Sequence, residues 1–234
     1  MKDFEISFLT ENCKKIYQRK KHVTLGISPF TSKYNELYIK KIIQWANLNF
    51  EEFSILLAGN ESKNLLECLG YSSSKANQKV RKEIKRQIRF CEDAILKCNK
   101  TITNRIHRFS DFKQHISYIE LYQQIVNQFN TDSNFRSCCL KMSLKALQSK
   151  KENLNKPVLI TDESLEYAAQ YVLAELPFFL NANPIINTQE TILAYHAPWK
   201  LGTDIINNKF NLKMDKNQGY IILTEKGDNY VKSL

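Results

Sequence analysis

A strand, helix, strand, helix order near the start of the chain constrains its fold more than any other feature. Residues 22–27 (HVTLGI) are apolar β-formers that run into Ser28 and Pro29, the composition of a short buried strand ended by a turn. Residues 35–50 carry a helical pattern, residues 53–58 (FSILLA) read as a second strand closed by Gly59 and Asn60, and Ser62 can start another helix. Parallel strands need a crossover between them, and that crossover is right-handed. The expectation is an α/β fold with a mostly parallel sheet flanked by helices.

Downstream, residues 74–100 hold the longest helical pattern, with Val80, Ile84, Ile88, Cys91, Ile95 and Cys98 spaced as one buried stripe. Opposite that stripe stand Lys75, Lys79, Lys82, Arg86 and Arg89, flanked by Arg81 and Lys85, and Lys97, Lys100, Arg105 and Arg108 extend the positive region. A third strand is expected at 102–109, helices at 111–129 and 134–150, and a polar break at 153–157. Thr161 and the acidic residues after it open another helix, expected to end near Leu176 because Pro177 disfavours helical geometry in the residue before it. Residues 191–194 and 220–224 read as strands. No repeat or linker divides the sequence, so one domain over 1–234 is expected.

The net charge of +10 suggests a polyanionic partner, nucleic acid or an anionic membrane surface. A solvated face is the bland reading of any charge run, but here the charges share one stripe with few acidic partners, which favours phosphate contact. No run approaches a membrane span, and the first 20 residues lack the apolar stretch of a secretory signal. Six cysteines form no CxxC pair; the adjacent Cys138 and Cys139 read as small hydrophobes on a helix. His22, His107, His115 and His196 make no metal-ligand pattern, so no metal is expected.

Three short words can carry chemistry. Ser28 follows the first strand, where it either caps the next helix or, if the turn aims it at the carboxyl end of the sheet, meets a ligand there. Tyr171 and Glu175, four residues apart on one helix face, either point together into a cleft or lie on a solvated face, and the surface reading wins for an isolated pair; the balance shifts because this is the most apolar helix of the chain. A glutamate in that setting calls for a cation, and a substrate ammonium would serve. Tyr195 is either an ordinary strand-end aromatic beside a hydrogen-bonded loop histidine, His196, or a hydroxyl able to pass a proton between neighbours. Residues 141–145 (KMSLK) resemble the KMSKS loop of class I aminoacyl-tRNA synthetases, but HVTL at 22–25 does not supply the companion ATP motif, and KMSLK reads as helix surface.

Together, GISPFTSKY at 26–34, YVLAELP at 171–177 and YH at 195–196, with a basic helix between them, resemble the cyclodipeptide synthases. The resemblance spans the chain. It implies an enzyme that takes two aminoacyl-tRNAs and releases a cyclic dipeptide, on a Rossmann-like fold similar to the class Ic tyrosyl- and tryptophanyl-tRNA synthetases. The aminoacyl ester arrives activated, so no cofactor is implied. Ser28 would be the nucleophile that takes the first aminoacyl group, Gly26 would line the pocket beside it, and Tyr171 and Glu175 would hold the ammonium. The second aminoacyl-tRNA would attack through its amine, with Glu175 accepting a proton, to give a dipeptidyl-enzyme. Tyr195 would relay a proton as the ring closes and Ser28 is freed.

His196 and Thr31 would complete the substrate surround, and Lys75, Lys79, Lys82, Lys85, Arg86 and Arg89 would contact tRNA. The larger subfamily is marked by Asn, Tyr and His, with its asparagine three residues after the serine. Tyr195 and His196 match, while Thr31 stands in the asparagine's place and can hydrogen-bond the loop less extensively than an amide. The resemblance implies a cytoplasmic monomer with no membrane or protein partner. Two other readings are a non-catalytic tRNA-binding module with a synthetase-like fold, and a small serine esterase, for which no Asp/His pair is suitably placed.

Overall fold

The computed structural model describes residues 3–151 and 159–227. The first elements are β1 (Phe4–Phe8), α1 (Glu11–Arg19), β2 (His22–Ile27), α2 (Glu36–Asn49), β3 (Glu52–Leu57), α3 (Lys63–Cys68) and α4 (Ser73–Lys97). They are followed by β4 (Ile106–Arg108), α5 (Ile116–Thr131), α6 (Ser133–Lys151), α7 (Asp162–Asn181), β5 (Thr191–Tyr195), α8 (Lys200–Ile206) and β6 (Gln218–Glu225). The six strands form one sheet in the order β1-β6-β5-β2-β3-β4. All neighbours are parallel except β1, which lies antiparallel on β6.

Because successive side chains on a strand point to opposite faces, each central strand supplies two cores. Ile192 and Ala194 of β5 join Val23, Leu25, Ile55 and Leu57 against α2 and α4. Leu193 faces the other way, into a cluster with Phe179 and Leu176 of α7 and Phe135 of α6. Both faces of the sheet are thus covered by helices, which is why the strands read as continuous apolar runs. From β2 the chain winds outward through β3 to β4, then returns to place β5 on the other flank of β2. The carboxyl ends of β2 and β5 form the switch point where open α/β sheets bind ligands.

Several boundaries differ from expectation. β1, α1 and α8 have no counterpart among the expected elements. The third strand shrinks to Ile106–Arg108, because Asn104 takes a left-handed φ of 59° and the Arg108 amide is capped by Asp111 at 2.9 Å. A short 3-10 turn, Phe109–Phe112, then precedes α5. The polar break at 153–157 lies outside the described residues. Most informative is α7, which runs through Pro177 to Asn181 rather than ending at Leu176. An interior proline costs about 3 kcal/mol, whereas fully burying one large apolar side chain returns about 1.5–3 kcal/mol. Phe178, Phe179 and Leu180 are all buried, and the helix holds because three such burials outweigh one break.

Candidate active site

Ser28 lies in the first step beyond β2, on a turn that its neighbours hold rigidly. Pro29 is buried, and Phe30 sits at φ 57°, a left-handed conformation uncommon for a side chain of its size. Thr31 turns its hydroxyl back onto the Pro29 carbonyl at 3.4 Å, a contact within the loop. The buried Tyr34 hydroxyl donates to the Gly26 carbonyl at 2.8 Å and lies 2.9 Å from Nδ1 of His196.

Tyr195 ends β5, the parallel neighbour of β2, so the pairing that builds the sheet also delivers its ring to Ser28. The Ser28 and Tyr195 hydroxyls share a short hydrogen bond. Gly26 lies beside that ring: a methyl group there would stand 3.4 Å from Tyr195 Cδ2, in van der Waals contact with it. From the opposite side α7 lowers Tyr171, whose hydroxyl hydrogen-bonds Ser28. One helical turn on, Glu175 reaches the same space, its charge acting on Tyr171, Tyr34 and Tyr220. The four residues singled out for chemistry therefore meet, with Gly26 and His196 at their side.

Burial sets the electrostatics. Glu175 is pushed up to about 7 by desolvation, and no cation among the described residues offsets it. The Tyr171 phenol lies well above its ordinary value, through burial first and then the neighbouring Glu175, so it keeps its proton at neutral pH. His196 is held down to about 4 by burial, with Lys33 adding to the effect, and is neutral. A half-buried carboxyl with a raised pKa beside three hydroxyls has the chemistry to pair with a cation and to exchange a proton near neutral pH.

Some residues of the site have no clear signal in the sequence. Tyr34 belongs to the GISPFTSKY word, yet nothing around it points to a role. Glu61, whose charge also reaches Tyr171, lies against Gly59 and pairs with Lys113 at 2.7 Å. Nothing local distinguishes it from a surface glutamate. Glu83 and Gln87 of α4 touch the Ser28 loop, and the dense positive charge of that helix hides them. A groove of about 590 Å³ opens near His22, Arg105 and His107 and contains none of the predicted site residues. Among the described residues no group of His, Cys, Asp and Glu could hold a metal ion.

Along α4, Lys75, Lys79, Lys82, Lys85 and Arg89 are exposed, as the helical wheel predicts. Arg86 departs from the stripe: its guanidinium forks onto Glu83 at 2.6 and 2.8 Å and points toward the Ser28 loop. The expected extension of the positive region is neutralised in part, since Arg105 pairs with Glu52 at 2.6 Å and Arg108 with Asp111 at 2.6 Å. Among the described residues no helix is long and apolar enough to cross a membrane.

The chain matches the family model for cyclodipeptide synthase over residues 4–225. It is 80% identical, over all of both chains, to a cyclo(L-leucyl-L-leucyl) synthase of Staphylococcus haemolyticus. A cyclo(L-leucyl-L-leucyl) synthase of Bacillus subtilis is 44% identical over 93% of this chain and 88% of its own. The crystal structure of a cyclodipeptide synthase from Bacillus thermoamylovorans superposes with a TM-score of 0.92 at 49% identity, covering 96% of this chain and 97% of that one. At the level of fold alone, a cyclodipeptide synthase from Candidatus Glomeribacter gigasporarum, solved bound to Phe-tRNAPhe, matches with a TM-score of 0.55 at 14% identity over 91% of each chain.

Proposed function

Because the chain belongs to the cyclodipeptide synthase family, whose members are aminoacyl-tRNA-dependent enzymes, we propose that it joins two leucyl groups from leucyl-tRNA into cyclo(L-leucyl-L-leucyl), by a ping-pong route through Ser28. The observation that carries this reading is the meeting of the Ser28, Tyr171 and Tyr195 hydroxyls beside Glu175. Two relatives, at 80% and 44% identity, are named for that product. Tyr171 itself packs against the buried cluster of Leu56, Ala58, Phe109 and Phe178, which holds its ring in place.

In the first half-reaction Glu175 and Tyr171 hold the leucyl ammonium, and Ser28 Oγ attacks the ester carbonyl. The Oγ–carbon bond forms, the bond to the terminal ribose oxygen breaks, and the serine proton passes through the tyrosine hydroxyls to that oxygen. The second step runs opposite to the direction expected from sequence. Attack by the incoming tRNA's own amine would release Ser28 and leave the dipeptide on tRNA. A dipeptidyl-enzyme instead requires the amine of the Ser28-bound leucyl group to attack the ester carbonyl of the second leucyl-tRNA. Glu175 takes the proton that this amine must lose, and the second ribose oxygen leaves. The new terminal amine then attacks the Ser28 ester, the ring closes, and Oγ recovers a proton through Tyr195.

Lys75, Lys79, Lys82, Lys85 and Arg89 give the tRNA backbone a positive surface. All these groups come from one chain and charged tRNA is a cytoplasmic substrate, so the proposal includes a monomer acting in the cytoplasm. Expression in a bacterial host, with mass spectrometry of the medium, should yield cyclo(Leu-Leu). Purified protein given radiolabelled leucyl-tRNA should carry leucine that the Ser28→Ala variant does not. Undiminished product from that variant overturns the covalent route. Leucyl-tRNA bound without any cyclic product overturns the enzymatic reading in favour of a binding module.

A further inference from the structure

The side chain of Ser28 faces the tyrosines, while its main chain faces α4. Gln87 is fully buried there, and its Nε2 donates to the Ser28 carbonyl at 3.0 Å and to Glu83 Oε1 at 3.2 Å. Two acceptors on one side settle the orientation of the amide, because the flipped form would set oxygen against oxygen. The same Glu83 oxygen accepts from the Phe30 amide at 3.2 Å. Arg86 locks that carboxylate in its fork and directs a third nitrogen at the Tyr34 carbonyl, 3.4 Å away. One turn of α4 thus grips the loop at Ser28, Phe30 and Tyr34. Glu83 and Gln87, four apart on the helix, share the face turned to the loop.

We propose that Glu83 and Gln87 are positioning residues for Ser28, fixing the nucleophile's loop to the helix whose outer face carries the exposed lysines. The inference rests on Ser28 being the acyl acceptor. Its physical basis is that Ser28 hydrogen-bonds two tyrosines from two other elements, and this alignment survives only if the loop backbone is held from behind. Arg86 belongs to this bracket: it fixes the Glu83 carboxylate, and its charge is already matched. The two faces of α4 therefore have separable roles, the outer one in affinity for tRNA and the inner one in the rate at which Ser28 reacts.

Single-turnover transfer of leucine from leucyl-tRNA to the protein, measured at saturation alongside tRNA affinity, tests the division. Gln87→Met and Glu83→Met remove the polar contacts at similar length. Each should bind leucyl-tRNA as the wild type does and transfer about 100-fold more slowly, the scale of a misplaced reacting group. Glu83→Gln, which keeps an oxygen for the Phe30 amide, should recover much of that rate. Wild-type transfer in both methionine variants overturns the proposal, and so does a loss confined to tRNA affinity. Where a methionine variant does not fold, Gln87→Glu conserves volume and sets a second carboxylate against Glu83; slow transfer in that folded protein supports the bracket and wild-type transfer overturns it. Wild-type protein that makes cyclic product but carries no label on Ser28 would instead overturn the nucleophile reading itself.

Discussion

Tyr34 and His196 share a hydrogen bond whose direction is settled by a third group. The Tyr34 hydroxyl donates its one proton to the Gly26 carbonyl at 2.8 Å, so Nδ1 of His196, 2.9 Å away, must carry the hydrogen between them. The neutral Nδ1–H tautomer follows, in keeping with a ring whose pKa is held down to about 4. Tyr34 therefore joins the end of β2 to the residue after β5, directly beneath the Ser28 turn.

Tyr34→Phe keeps the ring and strands both partners. Leaving a buried donor and acceptor unsatisfied costs about 1–3 kcal/mol. The stability measured by urea unfolding should fall by that amount with the slope of the transition unchanged, and product formation should slow. A midpoint equal to wild type would show that water replaces the hydroxyl at no cost.

His22 and His196 make stability depend on pH. Burial is the main cause in both, holding each down to about 4 against an unfolded value near 6.5. In that window the unfolded chain binds more protons, so their contribution is present above pH ~6.5 and is lost as pH falls toward 4. His22 bonds the Thr191 hydroxyl at 2.6 Å and the Ser54 hydroxyl at 3.1 Å, so His22→Gln should destabilise at neutral pH. Between pH 7 and pH 5 its deficit relative to wild type should narrow by on the order of 2 kcal/mol. A deficit independent of pH would sink the assignment.

Glu175 shifts the other way. With its pKa raised to about 7, the folded protein binds more protons than the unfolded chain between the ordinary carboxylate value and 7, so this residue costs stability as pH rises through that window. Glu175→Gln should therefore be more stable than wild type at pH 8, by on the order of 1–3 kcal/mol, while its rate falls about 100-fold or more. In wild type, kcat/KM should show an acid limb centred near 7, since a neutral carboxyl can neither pair with an ammonium nor accept its proton. The limb in kcat should lie lower, because a bound ammonium stabilises the carboxylate. An unchanged limb in the glutamine variant would assign it to another group.

Replacing Lys79, Lys82 and Lys85 by alanine removes exposed charge without touching the loop. Binding of tRNA should weaken, and the slope of log affinity against log salt should decrease by about 0.7–0.9 for each phosphate that is no longer neutralised. Filter binding over a salt series measures both. Equal slopes for variant and wild type would place the tRNA elsewhere.

Much of this architecture is legible in local pattern. β2, α2, β3 and the stripe of α4 appear as apolar periodicity, and the Thr161 cap of α7 is written in four residues. β1 escapes such a reading although FEISF alternates, because its meaning lies in pairing with β6, where Phe4 meets Glu225 at the far end of the described chain. The length of α7 escapes it because a local rule about proline cannot count the burial of Phe178, Phe179 and Leu180. Ser28, Tyr171, Glu175 and Tyr195 are marked only in combination: singly they read as a cap, a surface pair and a strand-end aromatic, and the family resemblance is what ties them to one site. Gln87 is not marked even so, since an interior glutamine on a basic helix has no local signal and its partner Ser28 lies 59 residues away.

The sequence by itself determined the type of each long element, the faces those elements bury, and which side chains could carry chemistry. Helical and strand periods are local, and hydrophobic burial acts on them without knowledge of distant neighbours. Only the tertiary structure decided that the hydroxyls of Ser28, Tyr171 and Tyr195 meet, that a carboxyl beside them is lifted to about 7, and that Arg86 turns inward while its lysine neighbours turn out. Hydrogen bonds and desolvation act over a few ångströms in space, and the order of strands across the sheet sets which residues come that close.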